Sequence, residues 1–116
     1  MLFRSRLKKD IEELPAGVLA KIGNLKSYSF RYNDNKPTDQ LTIGFMAQDV
    51  QPLFPEAVTE IINKDGSTSL GLKYQYFGVY AIKAIQEQQQ IIEALKKKNE
   101  QLEKDLQLIK TKLGIQ

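Results

Sequence analysis

The chain contains no cysteine, no histidine and no tryptophan. Without cysteine there are no disulfides, thiolate zinc sites, iron–sulfur ligands or cysteine nucleophiles. Without histidine the commonest metal ligand and the commonest general base are gone. No apolar run approaches the roughly 18 residues that a membrane-spanning helix needs. The amino end shows no signal-peptide pattern, and a cysteine-free chain fits any redox compartment. The seven glycines are scattered singly, so there is no glycine-rich phosphate loop, and no internal repeat of about 20–50 residues occurs. Neither a metal nor a cofactor is expected.

What remains is 116 residues with 41% hydrophobic content, enough for one small domain with an extension. A domain of this size is marginal on burial alone. The net charge of +3 sits mainly at the carboxyl end. From Lys96 to Gln116 there are six basic and three acidic residues. A basic tail is one way to bind nucleic acid. This tail holds no arginine, and no aromatic follows Tyr80, so stacking platforms are missing. A solvated helix face is the simpler account, and nucleic acid is kept as the alternative partner.

Leu7, Ile11 and Leu14 stand at helical spacing in a charged amphipathic stretch that Pro15 and Gly17 interrupt. Val18, Leu19 and Ile22 predict a short helical turn before Gly23-Asn24. The alternation from Tyr28 to Tyr32 predicts a half-buried strand with Tyr28, Phe30 and Tyr32 on one face, in the core or against another subunit. A polar loop follows from Asn33 to Gln40. Phe45–Val50 predicts a short helix stopped by Pro52 and Pro55. Val58–Ile62 and Ser67–Leu72 read as strands around Asn63-Lys64-Asp65-Gly66, and Asp-Gly is a strong hairpin signal. After Tyr74 only Gly78 interrupts a helical pattern before Gly114. Tyr74 and Tyr76 are expected to pack the hinge between hairpin and helix.

That final helix carries a heptad seam. With Ile85 at position a, the a positions are Ile85, Ile92, Asn99, Leu106 and Leu113, and the d positions are Gln88, Leu95, Leu102 and Ile109. Seven of these nine are Ile or Leu and the other two are uncharged amides, which predicts a coiled coil. From Ile85 to Leu113 the stripe runs roughly 42 Å at 1.5 Å per residue, too long for a body of about 80 residues to cover. In a parallel coil Lys98 (g) meets Glu103 (e) and Asp105 (g) meets Lys110 (e), both opposite in charge. Periodicity leaves two or three chains open. Asn99 favours dimers, whereas Leu106 at a with Ile109 at d and Gln88 at d favour a wider core.

Little in the sequence carries catalysis. Ser5-Arg6-Leu7-Lys8 has Ser-x-x-Lys spacing but lacks the Ser-Asp-Asn and Lys-Thr-Gly partners of the β-lactamase arrangement. Glu12-Glu13 has no paired-carboxylate geometry, and Gln88-Gln89-Gln90 is a polar helix patch.

Gly44-Phe45-Met46-Ala47-Gln48-Asp49-Val50-Gln51, Phe54-Pro55-Glu56-Ala57-Val58, the hairpin leading to Leu72-Lys73-Tyr74, and Ala81–Glu87 entering the coil follow one another in order. From about Arg6 onward this succession resembles the carboxyl-terminal intramolecular chaperone domain of endosialidases and of phage tail spikes and fibres. A related domain occurs in the myelin regulatory factor. The resemblance implies a homotrimer that gathers three chains, assists the folding of an upstream segment, and is then released by its own serine-peptidase cut. It implies a place in the virion tail, or in the host cytoplasm during assembly.

The family's cut uses Ser-Asp-x-x-x-Lys, in which the lysine amine takes the serine proton. By resemblance Lys8 is that general base, unless it is an ordinary surface lysine. Five residues earlier stand Phe3 and then Arg4, not serine and aspartate, and Ser5 is at the wrong spacing. The chain therefore either flanks an altered junction or represents a member that does not cleave, and it is expected to be inactive as written. The expected architecture is α+β: a chaperone body over residues 1–76 and a coiled-coil helix over 77–116, with other copies of itself and an upstream segment as partners.

Overall fold

The structure, a computed structural model, describes residues 7–114. In chain order it contains α1 (Val18–Gly23), β1 (Tyr28–Phe30), β2 (Thr42–Gly44), α2 (Ala47–Val50), a 3-10 turn (Pro55–Ala57), β3 (Val58–Ile62), β4 (Thr68–Leu72) and α3 (Gln75–Leu113). The α+β architecture matches expectation: two small antiparallel hairpins beside one long carboxyl-terminal helix.

Each hairpin follows from its sequence. β1 pairs with β2 from Tyr28 opposite Gly44 to Phe30 opposite Thr42. β3 pairs with β4 from Val58 opposite Leu72 to Ile62 opposite Thr68. The β3–β4 turn is closed by the Asn63 amide donating to the Ser67 carbonyl at 2.8 Å, and Gly66 takes φ 85°, where a side chain would be strained. The Asp65 carboxylate accepts the Ser67 amide at 2.9 Å, and the Ser67 hydrogen bonds hold its carboxyl below the usual range.

The core is small and centred on stacked aromatic rings. Val18, Val50, Phe54, Ala57, Tyr80 and Ala84 are its buried members, flanked by Leu19, Ile22, Leu25, Phe45, Leu53, Val58, Leu72 and Phe77. Phe54 stacks on Tyr80 with centroids 4.1 Å apart, and Phe77 stands edge-on to both. Pro55 occupies the first turn of the 3-10 segment, where a missing N–H costs nothing, and delivers Ala57 into the core with no exposed surface.

Two expectations are corrected. Leu7, Ile11 and Leu14 do not share a helix: from Lys8 to Ala16 the chain is irregular, Asp10 takes φ 56°, and Leu7 and Ile11 are 57% and 66% exposed. A left-handed residue ends any helical run there, and of the three only Leu14 lines a depression against α3, beside Val79 and Ile82. The aromatic strand is also shorter than expected. β1 stops at Phe30, and Tyr32 is 60% exposed. The chain leaves the ladder because the Arg31 side chain donates to the Asp39 carbonyl at 2.7 Å and the Tyr32 amide donates to Asn35 Oδ1 at 2.9 Å. The loop's own bonds replace strand pairing, and Tyr32 meets Phe30 edge-on instead of entering the core.

The molecule is elongated, 80 × 48 × 24 Å, with a radius of gyration of 23.2 Å. A compact chain of this length would have about 13 Å. Its accessible surface is 10196 Å². A monomer of this mass typically exposes about 6,500 Å². α3 contributes to this extension, its 39 residues spanning roughly 58 Å. Among the described residues no helix is long and apolar enough to cross a membrane.

Candidate oligomerisation interface

α3 begins as part of the body and ends as a free helix. Tyr80 and Ala84 are its buried residues. Beyond Glu87 every described residue is exposed except half-buried Lys110. The root of the helix is held by the block from Gly44 to Val58. Phe45 packs against Phe77 at 4.9 Å and stacks with Tyr74 at 6.2 Å. The Tyr74 hydroxyl accepts the Phe45 amide at 3.2 Å. Gly44 leaves room for that hydroxyl, since a Cβ there would collide with it. Tyr74 thus packs the junction as expected, against the first hairpin. Tyr76 does not share in it, and its ring lies under the Lys73 ammonium instead, 5.4 Å from the centroid.

Two carboxylates tie the helix down. Tyr80 Oη donates to Glu56 Oε1 at 2.6 Å. Burial first, and then the Glu56 hydrogen bond and charge, push the Tyr80 phenol above its ordinary range. Glu87 reaches back to the start of α1. Its Oε1 accepts the Gly17 and Val18 amides at 3.0 and 3.3 Å, and its Oε2 accepts the Leu19 amide at 2.9 Å. These bonds, that of Leu19 first, and the nearby Lys83 charge hold the Glu87 carboxyl below the usual range. The sequence reading missed Glu87 as a contact. A signal existed: α1 follows Gly17, which has no side-chain oxygen to cap its own helix.

The nine seam residues all lie on α3, in the order that the heptads require. Ile85, Gln88, Ile92, Leu95, Asn99, Leu102, Leu106, Ile109 and Leu113 are exposed, Leu95 by 58% and Leu106 by 52%. Two depressions lie along this stripe. One, about 400 Å³, is lined by Leu19, Gln88, Ile91 and Ile92. The next, about 360 Å³, is lined by Ile92, Leu95, Lys96 and Asn99.

Lys8 is exposed on the segment that precedes α1. Phe3 and Ser5 lie outside the described residues. Among the described residues no group of acidic side chains is placed to hold a metal ion.

A small body is clamped to the root of the helix, and most of the helix's apolar stripe is exposed. The model of the family described as "Chaperone of endosialidase" matches residues 5–59. The match covers 55 of the 116 residues and includes the Gly44–Val58 block. No curated protein matches the chain.

Proposed function

We propose that this chain is an intramolecular chaperone that assembles as a parallel homotrimer through α3 and assists the folding of an upstream tail-spike, tail-fibre or adhesin segment. The observation that carries the reading is the seam: seven Ile or Leu side chains in heptad order, exposed along about 42 Å of helix. In a coiled coil each a or d side chain enters a hole made by four residues of the facing helix. The depression lined by Ile92, Leu95, Lys96 and Asn99 is such a set, positions a, d, e and the next a, shaped for a neighbouring copy's Leu95. Each chain exposes about 3,700 Å² more than a compact monomer of its mass would, surface that assembly can cover.

The physical benefit is kinetic. An intertwined trimer needs a three-chain encounter, and a coil at one end converts it into an intramolecular search at high effective concentration. Self-cleavage by this chain as written is not part of the proposal, because Phe3 and Arg4 stand where serine and aspartate are required.

Sedimentation equilibrium at micromolar concentration tests the assembly. A three-chain species is expected; a monomer, or an antiparallel pair, overturns the reading. Fusing an upstream segment ahead of Met1 tests the second part. The fusion is expected to stay intact, whereas scission that disappears with Lys8→Ala would restore the peptidase.

A further inference from the structure

We propose that α1 belongs to the contact between copies, with Leu19 forming a wall of the hole that receives the neighbouring copy's Ile92. This rests on the parallel-coil reading. In such a coil the a-position side chain of layer 92 enters a hole made by the preceding d and g and the same a and d, here Gln88, Ile91, Ile92 and Leu95. The depression of about 400 Å³ is lined by the first three of these and by Leu19. One helix of the body therefore reaches the seam at this layer. Two further observations agree. Ile91 is apolar at g, whereas the g positions that follow it, Lys98, Asp105 and Lys112, are charged. The switch follows the layer at which Leu19 lines the depression beside Ile91. Leu19 is also half-buried beside buried Val18, so its side chain is only partly used by its own body.

Glu87 then has a second consequence. By accepting three amides at the start of α1 it fixes Leu19 beside Ile91. Assembly of the coil and placement of the body become one event: a copy whose α1 has swung away offers an incomplete hole. The neighbour's e-position side chains, Gln89 and Lys96, pass the outer rim, where the lysine stem can cover Leu19 while its ammonium stays in water.

The absence of cysteine makes thiol trapping direct. Leu19→Cys is combined with Gln89→Cys, and separately with Lys96→Cys. Within one chain both e positions lie on the flank of α3 away from α1, so a short bismaleimide joins thiols of different copies only. Covalent dimers and trimers are expected from at least one pair, and none from the single variants. Leu19→Cys with Asn99→Cys is the control, because a positions meet near the axis and link any parallel coil. If that control gives a covalent dimer and neither mixed pair links copies, α1 stands outside the interface and the inference falls while the coil survives. If the control also fails, the coil reading falls and takes the inference with it.

Discussion

The two ends of α3 obey different rules. At its root Tyr80 and Ala84 are enclosed by Phe54, Val50, Ala57 and Val18, and two carboxylates fasten the helix to the body. Past Glu87 the same helix continues for seven more turns with nothing buried. Isolated helices are marginal in water, so such a length persists only when tertiary or quaternary contacts reward it. The root is stabilised within one chain. On the proposed reading, the distal part is stabilised between chains.

The sharpest way to break that contrast is to remove a side chain from each end. Phe54 is 1% exposed and stacks on Tyr80 at 4.1 Å. Phe54→Ala should cost the body about 3–5 kcal/mol, since the aromatic pair and its cavity are lost together. Urea unfolding followed by near-ultraviolet circular dichroism should show this loss at every protein concentration. A loss under 1 kcal/mol would mean that the root is not the anchor.

Leu106→Ala is the distal counterpart. On a helix that stays in water the change would be worth no more than about 0.5 kcal/mol. Inside a coil each chain would lose about 2–5 kcal/mol, and the concentration at which assembly is half complete should rise more than tenfold. Analytical ultracentrifugation separates the two outcomes. Asn99→Ile should act in the other direction, raising the melting temperature and broadening the distribution of copy number, because a buried amide fixes register at a cost in stability. An unchanged distribution would show that Asn99 does not set the copy number.

Local and periodic features were legible in the sequence; contacts across long separations were not. Asp65-Gly66 announces the second hairpin, Pro52 and Pro55 bound α2, and the lack of breakers other than Gly78 between Tyr74 and Gly114 sets the extent of α3. The same periodic reasoning failed for Leu7, Ile11 and Leu14, because spacing gives the direction of an apolar face and not the presence of a surface to receive it. The Glu87 cap joins residues 68 to 70 positions apart, beyond any local pattern. Only the missing oxygen at Gly17 hinted that a cap must come from elsewhere. The Gly44–Val58 block pointed to the family as a pattern, but its physical purpose, enclosing the root of α3, required the packing of Phe45, Phe54 and Tyr80.

Glu87 also yields a pH test at the border between the two regions. Its folded carboxyl titrates below the ordinary value of 4.5. A lowered folded value means that the contribution is present above about pH 4.5 and is lost as pH falls below it. The protection factors of the Gly17, Val18 and Leu19 amides, measured against intrinsic exchange at each pH, should therefore fall on the acid side, and Glu87→Gln should remove that pH dependence. Tyr80 behaves oppositely. Its raised phenol value makes its contribution full below pH 10 and lost above it, so the root should loosen in alkali while the amides held by Glu87 stay protected. A single titration that releases both sites together would show that root and cap are one unit.

The smallest expected effect lies at the junction itself. Gly44 is buried opposite Tyr28, and a Cβ there would strike the Tyr74 hydroxyl and sit 3.6 Å from the Phe30 ring. Tyr74 is half-exposed and can move, so Gly44→Ala should displace the ring and break its bond with the Phe45 amide. That bond is worth about 0.5–1.5 kcal/mol, and the freed amide can turn to water, so the cost should stay near 1 kcal/mol. Tyr74→Phe removes the hydroxyl that the new methyl would strike. If the collision is the cause, Gly44→Ala should cost less in the Tyr74→Phe background than alone, and a double-mutant cycle on unfolding free energies measures the difference. Additive costs would place the penalty in the hairpin backbone, leaving Tyr74 as a bystander at the root of the helix.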